Sequence, residues 1–228
     1  MKIIGHRGAA GLALENTVES IRAAIKAGVD AVEFDIRATA DQELVLVHDK
    51  HTGRISHESL HVQQHTLAEL RSMLLHNGHP PATLIEALQA AGKTPVIIEG
   101  KESKWAEPLA KFLKKQSGQL HCRVISFNLQ ELYRFKLLMP NIPTYALEHT
   151  KSIEAIQSAR LLGFDGIDIN FWLLNPLTYL LARRRKLDII VYTVNSPFLA
   201  RFLKLFYPHI SITTDVPDKL QFLRKNVG

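Results

Sequence analysis

Short apolar runs rich in β-branched residues alternate along the chain with longer segments in which apolar residues recur every three or four positions. The first pattern predicts strands and the second predicts amphipathic helices. The predicted strands are 2–5, 31–36, 95–99, 123–126, 144–147, 166–169, 189–194 and 210–213. The predicted helices are 16–28, 83–91, 104–117, 129–139, 152–162, 175–185, 197–206 and 217–225. Alternating strands and helices in this number predict an α/β fold, the (β/α)8 TIM barrel.

The segment between residues 39 and 81 departs from this alternation. The strand-like runs 31–36 and 44–48 are too close in sequence for the crossover that parallel neighbours need. A hairpin with its turn at 40–43 resolves the conflict and returns His48 to the barrel mouth, near Asp35. The polar, histidine-rich stretch that follows has little period. We therefore expect a single domain over 1–228 with a small insertion at about 50–81.

Composition narrows the class of protein. Of 228 residues, 46% are hydrophobic and 22% are charged, which is typical of a globular protein, and the formal charge is +6. The single cysteine, Cys122, excludes an intrachain disulfide. The N-terminus lacks the pattern of a secretory signal, and no apolar run approaches the ~18 residues of a membrane span. We expect a cytoplasmic protein without stable membrane insertion, and the sequence gives no indication of its oligomeric state.

Polar residues stand at the carboxyl ends of the first three barrel strands, where enzymes of this fold carry their reactive groups. They are His6, Arg7, Glu33, Asp35, Glu99 and Lys101. Residues two apart on a strand share a face, so Glu33 and Asp35 project together. Converging carboxylates repel one another unless a cation holds them, and all-oxygen ligands favour Mg²⁺ or Ca²⁺. Cationic side chains for an anionic substrate and histidines for proton transfer complete a set typical of phosphate-ester chemistry.

Motifs distributed over nearly the whole chain add to this interpretation. They are Gly5-His6-Arg7-Gly8, Glu15-Asn16-Thr17, Val32-Glu33-Phe34-Asp35, Val47-His48-Asp49, Thr83-Leu84-Ile85-Glu86-Ala87-Leu88, Ile98-Glu99-Gly100-Lys101, Ile125-Ser126-Phe127-Asn128, Tyr192-Thr193-Val194-Asn195 and Thr214-Asp215-Val216-Pro217-Asp218. Taken together, the motifs resemble those of the glycerophosphodiester phosphodiesterase family. The resemblance implies hydrolysis of glycerophosphodiesters to glycerol 3-phosphate and an alcohol.

The resemblance also implies roles for individual residues. It makes His6 and His48 the general acid and base. It makes Glu33, Asp35 and Glu99 the ligands of one divalent ion, Mg²⁺ or Ca²⁺, with Mn²⁺ as a further possibility.

Other residues are candidates for binding the substrate. The resemblance implies contacts from Arg7 and Lys101, and it places Glu15 and Asn16 beside them. Asn16 and Glu19 also have the spacing of a helix capping box. Aromatic residues near strand ends could line a pocket for the alcohol, and Phe171 and Tyr192 are preferred over Phe127 and Trp172.

The chain departs from the family pattern at Leu14, Gly100 and Tyr192, where proline, a β-branched residue and tryptophan are frequent. None of these changes removes a reactive group, so we expect them to affect substrate preference. The basic run at 183–186 is short and lacks interleaved aromatic residues. It favours a role at a helix end over contact with an anionic lipid surface or nucleic acid. The expected partner is a small-molecule glycerophosphodiester.

Two alternative functions remain open from the sequence. A lysophospholipase D or sphingomyelinase D-like enzyme would share the same centre, although Asp218 stands where the sphingomyelinase D tail carries tryptophan. A non-catalytic module that binds a phosphodiester is the second.

His57, His61 and His65 have a spacing that would align them for zinc on a helix. The stretch lacks the apolar period of a helix, so we expect these histidines to be solvated residues of the insertion.

Overall fold

A computed structural model describes residues 1–116 and 121–224 and contains a closed parallel barrel. The strands are β1 Lys2–Gly5, β2 Ala31–Ala38, β3 Leu44–Val45, β4 Val96–Gly100, β5 Cys122–Ser126, β6 Thr144–Glu148, β7 Gly166–Asn170, β8 Asp188–Tyr192 and β9 Ile210–Thr214. Strand β1 pairs in parallel with both β2 and β9, which closes the barrel. Because β3 pairs only with β2, the barrel itself has eight strands and the predicted fold is confirmed.

Helices lie outside the barrel. They are α1 Val18–Lys26, α2 Leu67–Ser72, α3 Leu84–Ala91, α4 Ala106–Lys115, α5 Leu129–Leu138, α6 Ser152–Leu162, α7 Pro176–Arg184 and α8 Pro197–Phe206. All of them except α2, which belongs to the insertion, alternate with the barrel strands. The last predicted helix is a 3₁₀-helix, Pro217–Leu223, because its buried residues recur every third position, which is the 3₁₀ period. Ser117 and Lys225, at the ends of two predicted helices, lie outside the described residues.

Helix α1 begins later than the capping pattern predicts. Thr17, and not Asn16, is the N-cap: its side chain accepts a hydrogen bond from the Ser20 amide, and the Ser20 hydroxyl bonds back to Thr17. Asn16 itself has a φ of 57°, in the left-handed region that asparagine tolerates better than most residues. The prediction that Asn16 and Glu19 form the cap was therefore wrong, and the side chain of Asn16 is free for another role.

The predicted hairpin is present. Strands β2 and β3 are antiparallel, with Arg37 opposite Val45 and Ala38 opposite Leu44. The insertion that follows contains two 3₁₀-helices, Thr52–Arg54 and Val62–Gln64, and α2. Its apolar side chains form a separate small core of Val45, Val47, Ile55, Val62, Leu70, Met73 and Leu75.

The three insertion histidines with zinc spacing do not share a helix. Only the short 3₁₀-helix Val62–Gln64 lies between His61 and His65, and His57 precedes it in a bend. Among the described residues the only cluster with metal-ligand geometry is Glu33, Asp35 and Glu99.

Apolar side chains fill the barrel beneath its carboxyl-terminal mouth. Ile4, Ile97, Ile125, Tyr145, Leu147 and Ile190 belong to this inner layer. The polar groups at the carboxyl-terminal ends of the strands therefore lie directly next to a layer of apolar side chains. The low dielectric constant of this layer strengthens electrostatic interactions among those groups. Within the described residues, no helix combines the length and the apolar character that crossing a bilayer requires.

Candidate active site

A cavity of about 350 Å³ opens at the carboxyl ends of the barrel strands. Its wall includes seven residues predicted for the site, namely His6, Arg7, Glu33, His48, Glu99, Lys101 and Tyr192. The remaining wall residues are Ile125, Phe127, Leu147, His149, Asp168, Asn170, Thr193 and Thr213. The structure thus brings together residues from β1, β2, β4 and the segment after the hairpin.

Three buried carboxylates meet at this cavity, of which Glu33 and Glu99 line it and Asp35 lies beside them. Asp35 on β2 lies in register with Glu99 on β4, and Glu33 lies on the same face of β2 as Asp35. One oxygen from each of the three residues lies within 4.8 Å of the others. Glu33 Oε1 is buried and accepts no hydrogen bond from the described residues, so it has a free lone pair. The donor set is all oxygen, which fits a hard divalent cation.

Two cationic side chains contact the carboxylate cluster. Lys101 Nζ lies 3.0 Å from Asp35 Oδ1 and 2.5 Å from Glu99 Oε1. Arg7 Nε lies 3.3 Å from Asp35 Oδ2. These two positive charges balance at most two of the three carboxylates. A bound cation would therefore still be attracted to the cluster when all three carboxyl groups are ionised.

The pKa values of the three carboxyl groups diverge. Burial and the negative charge of Asp35 raise the pKa of Glu33 to about 7. The same two causes raise the pKa of Glu99 well above its ordinary value. Burial would also raise the pKa of Asp35, but the positive charges of Lys101 and Arg7 outweigh it and lower that pKa. A cation bound among them would favour the ionised form of all three.

The backbone after β1 is shaped to present Arg7. Arg7 and Gly8 both have positive φ, 49° and 84°, and a side chain at Gly8 would overlap Ser20. The Arg7 amide donates to Glu33 Oε2 at 2.8 Å, and the Ser20 hydroxyl donates to the Arg7 carbonyl at 2.9 Å. The guanidinium is thereby directed between Asp35 and Glu15, the latter at 3.0 Å.

His6 is held by a carboxylate from the far end of the chain. Its Nδ1 lies 2.6 Å from Asp215 Oδ1, and Asn195 Nδ2 donates to the other oxygen of Asp215 at 2.6 Å. Burial lowers the pKa of His6, but the hydrogen bond to Asp215 and the charge of Glu33 more than compensate, so the pKa is raised. His6 therefore keeps its proton to a higher pH than an ordinary histidine does.

His48 has the opposite environment. Its Nδ1 lies 2.7 Å from Asp49 Oδ1, but Asp49 also accepts from Arg54 at 2.6 Å. Burial lowers the pKa of His48, and the positive charges of Lys101 and Arg7 lower it further against the opposing charge of Asp35. His48 therefore loses its proton at a lower pH than an ordinary histidine does. Its carbonyl accepts two hydrogen bonds from the buried Arg37, which fixes the returning arm of the hairpin.

Glu15 and Asn16 lie behind the cavity wall and contact its charged residues. Asn16 Nδ2 donates to Asp35 Oδ2 at 2.7 Å, and the Asp35 amide donates back to Asn16 Oδ1 at 3.0 Å. Glu15 bridges Arg7 and Arg54, and these contacts lower its pKa despite burial. In this structure both residues position other groups.

The aromatic side of the cavity differs from the predicted one. Tyr192 lines it as expected, and its hydroxyl donates to the Glu148 carbonyl at 3.0 Å. Phe171 does not line the cavity. This residue lies in the 3₁₀-helix Phe171–Leu173, packs against the hydrophobic core between the barrel strands and the surrounding helices, and contacts Trp172. Phe127 lines the cavity instead and stacks on His149 with ring centroids 4.3 Å apart.

Several cavity residues had no predicted role. Asp168 is buried on β7, its Oδ1 accepts no hydrogen bond among the described residues, and burial raises its pKa. A lone carboxylate inside the apolar run Gly166–Asn170 was the available signal for it. Asp215 and Asn195 occur in the quoted motifs, but their contact with His6 depends on barrel closure, which the motifs do not show.

The comparisons agree with this geometry. A family model described as the glycerophosphoryl diester phosphodiesterase family matches residues 6–219. The Bacillus subtilis (strain 168) protein YhdW is 30% identical, with 96% of each chain covered. The crystal structure of a glycerophosphodiester phosphodiesterase from Parabacteroides distasonis ATCC 8503 has a TM-score of 0.84 and 28% identity over 98% of this chain and 96% of that one.

The fold is also that of an Oleispira antarctica phosphodiesterase solved with the product sn-glycerol-3-phosphate, at a TM-score of 0.91 and 23% identity over 99% and 97% of the two chains. The family match spans nearly the whole chain and includes all the charged residues of the cavity. This chain therefore belongs to the glycerophosphodiester phosphodiesterase family.

Proposed function

We propose that the protein hydrolyses glycerophosphodiesters to glycerol 3-phosphate and an alcohol, with one divalent ion held by Glu33, Asp35 and Glu99. The observation that carries the proposal is the convergence on one cavity of three buried carboxylates and two histidines with opposite pKa shifts. A general acid and a general base at the same pH require such opposite environments. Family membership supports the substrate class.

The cationic residues of the cavity suit the phosphodiester. Arg7 and Lys101 both line it and would contact the non-bridging oxygens of the phosphoryl group. A bound divalent ion would supply further positive charge to those oxygens. The side chains of Arg7 and Lys101 are already fixed by Glu15, Asp35 and Glu99, so little reorganisation accompanies binding.

The two histidines would then move the protons. In the first step neutral His48 accepts the proton of the neighbouring glycerol hydroxyl as its oxygen bonds to phosphorus, and protonated His6 donates to the departing alcohol oxygen. The product of this step is a cyclic phosphodiester and the free alcohol. In the second step neutral His6 accepts a proton from water as the water oxygen bonds to phosphorus, the bond between phosphorus and the glycerol oxygen formed in the first step breaks, and His48 returns its proton to that oxygen. An intramolecular nucleophile lowers the entropic part of the first barrier.

The proposal is tested by steady-state hydrolysis of glycerophosphocholine by the variants His6→Ala and His48→Ala. Each variant should lose at least ~100-fold in kcat, which is the usual contribution of a positioned acid or base. His209→Ala is the matched control, because His209 is exposed at the opposite end of the barrel. Folded variants that keep wild-type kcat would contradict the two-histidine proposal. Wild-type protein without turnover would favour the phosphodiester-binding module.

A lysophospholipase D activity is the second candidate. The observation that favours it is the aromatic wall of Phe127, His149 and Tyr192, which offers apolar contact area to the acyl chain that a lysophospholipid carries on its glycerol. Release of choline from micellar lysophosphatidylcholine at a kcat/KM equal to or above that for glycerophosphocholine would support this candidate. Selective turnover of glycerophosphocholine would exclude it.

A further inference from the structure

Helix α8 has apolar residues on both its inner and its outer side. Ala200 and Leu203 are buried against the barrel, whereas Phe198 and Leu205 on the other side are 79% and 74% exposed. Phe202 and Phe206 are also exposed, and their rings lie 4.6 Å apart. Arg201 and Lys204 occupy the remaining side of α8. A helix whose apolar residues extend from its buried side to its outer side is normally covered on both of these sides.

The neighbouring helix extends this surface. Tyr179 of α7 contacts Tyr207 at the end of α8, with ring centroids 5.2 Å apart, so the two helices are adjacent. Leu177 and Leu180 are exposed on α7. We call the exposed residues Leu177, Leu180, Phe198, Phe202, Leu205 and Phe206 the α7–α8 face. Trp172, 80% exposed, precedes it in the chain.

The charge of the chain is concentrated in the same segment. Residues 171–207 contain six Lys and Arg and one Asp, a formal charge of +5, whereas residues 1–170 contain nineteen of each sign and are neutral. Seven of the fifteen exposed large apolar side chains of the described residues also lie within 171–207. Arg183, Arg184, Arg185 and Lys186 are exposed at the end of α7, and none of them pairs with a carboxylate among the residues the structure describes.

We infer that the α7–α8 face docks the protein reversibly on an anionic lipid bilayer. Exposed phenylalanine and leucine side chains would enter the boundary between headgroups and acyl chains, and the Lys and Arg residues would remain among anionic headgroups. A second copy of this chain is the less suitable occupant, because an isologous contact would bring together two copies of segment 171–207, each with a formal charge of +5, and like charges oppose association.

The α7–α8 face begins at the mouth of the cavity. Asn170 lines the cavity and lies two residues before Trp172, and Thr193 lines it five residues before Phe198. The basic run that starts at Arg183 lies at the other end of α7, beside His209 at the opposite end of the barrel. Docking through this face would therefore lay the side of the barrel against the bilayer, with the cavity mouth at one end of the contact. The inference concerns binding only and does not depend on the proposed reaction.

Vesicle co-sedimentation tests the inference with the full chain at low ionic strength. Vesicles of phosphatidylcholine alone are compared with vesicles that contain about 30% phosphatidylglycerol, a density of anionic lipid that attracts basic segments. We expect at least ~tenfold tighter binding to the anionic vesicles, lost as salt is raised. The double variant Phe198→Ser/Phe202→Ser should weaken that binding at least ~tenfold. The double variant Arg183→Glu/Arg184→Glu should remove the preference for phosphatidylglycerol.

Matched controls lie on other helices. Leu137→Ser replaces a residue that is 66% exposed on α5, and Lys111→Glu/Lys114→Glu reverses two exposed charges on α4. Both should bind as the wild type does, and circular dichroism checks that all variants are folded. Leu205→Ser provides a single change if the phenylalanine pair fails to fold.

Two results would overturn the inference. The first is wild-type protein that binds anionic vesicles no more tightly than neutral ones, or α7–α8 variants that bind as the controls do. The second is a wild-type dimer in light scattering that Phe198→Ser/Phe202→Ser converts to a monomer, which would assign the face to a second copy of the chain.

Discussion

Replacement of Asp215 by asparagine should shift the pH profile of the enzyme. Asp215 accepts a hydrogen bond from His6 at 2.6 Å and raises the pKa of that histidine against the effect of burial. Asparagine keeps an oxygen that can accept the same hydrogen bond but removes the negative charge. Burial then dominates, so the pKa of His6 falls and the protonated general acid is lost at a lower pH.

The size of the shift follows from the hydrogen bond. Hydrogen bonds to charged groups contribute about 1.5–3 kcal/mol, and one pKa unit corresponds to about 1.4 kcal/mol. The side chain of Asp215 is 28% exposed, so solvent screens only part of its charge. We expect the alkaline limb of kcat/KM to move down by about one to two pH units. Above the new limb, the rate should fall about ten- to a hundredfold.

The assay measures kcat/KM for glycerophosphocholine between about pH 5 and about pH 10, with released glycerol 3-phosphate detected by a coupled enzyme. The acid limb should stay in place, because it reports the lowered pKa of His48. Asp218→Asn is the matched control, since Asp218 is exposed three residues farther along the chain. An alkaline limb that is unchanged in folded Asp215→Asn protein would refute the assignment of His6 as the general acid.

Four further predictions concern the carboxylate cluster and strand β4. Gly100→Val should destabilise the protein by about 1–3 kcal/mol, because a Cβ at this position would overlap the indole of buried Trp105. Calorimetry should show a Tm several degrees lower, and an unchanged Tm would contradict this packing. Lys101→Met should lower kcat/KM at least ~100-fold by removing a contact to the phosphoryl group, whereas a loss below tenfold would exclude that contact. In chelated protein at about pH 8, Glu33→Gln should raise Tm. The folded state raises the pKa of Glu33 to about 7, so this carboxyl stabilises the fold below its unfolded pKa and that stability is lost as the pH rises through 7. A lower Tm for the variant would contradict the cost of burying the ionised carboxylate. Added Mg²⁺ or Mn²⁺ should raise the Tm of wild-type protein and raise that of Glu33→Gln less, and an equal rise in both would remove Glu33 from the ligand set.

The carboxylate cluster could be predicted because its geometry is local. Glu33 and Asp35 share a face through the two-residue period of a strand, and Glu99 ends the next strand of the barrel. The return of His48 could be predicted as well, because the spacing of two strand-like runs permits only a hairpin. In both cases the argument used neighbours in sequence or neighbours in the sheet.

The remaining features depend on contacts that no pattern in the chain shows. Asp215 reaches His6 across 209 residues of sequence, only because β9 closes the barrel against β1. Phe127 and Phe171 both follow barrel strands, but only Phe127 lines the cavity. Phe171 lies in the 3₁₀-helix after β7 and packs against the hydrophobic core between the strands and the helices. Asn16 has a left-handed φ, and Thr17 is the N-cap of α1 in its place. The side chain of Asn16 hydrogen-bonds to Asp35 instead.

The most direct measurement is release of glycerol 3-phosphate from glycerophosphocholine and glycerophosphoethanolamine by purified protein treated with EDTA, followed by restoration of Mg²⁺, Ca²⁺ or Mn²⁺ in turn. We predict that release stops on chelation and returns with at least one of these ions, because the buried ligand oxygens of Glu33, Asp35 and Glu99 lie within 4.8 Å of one another. Release that continues undiminished after complete chelation would contradict the metal site. A folded protein that releases no glycerol 3-phosphate with any of the ions would contradict the proposed reaction.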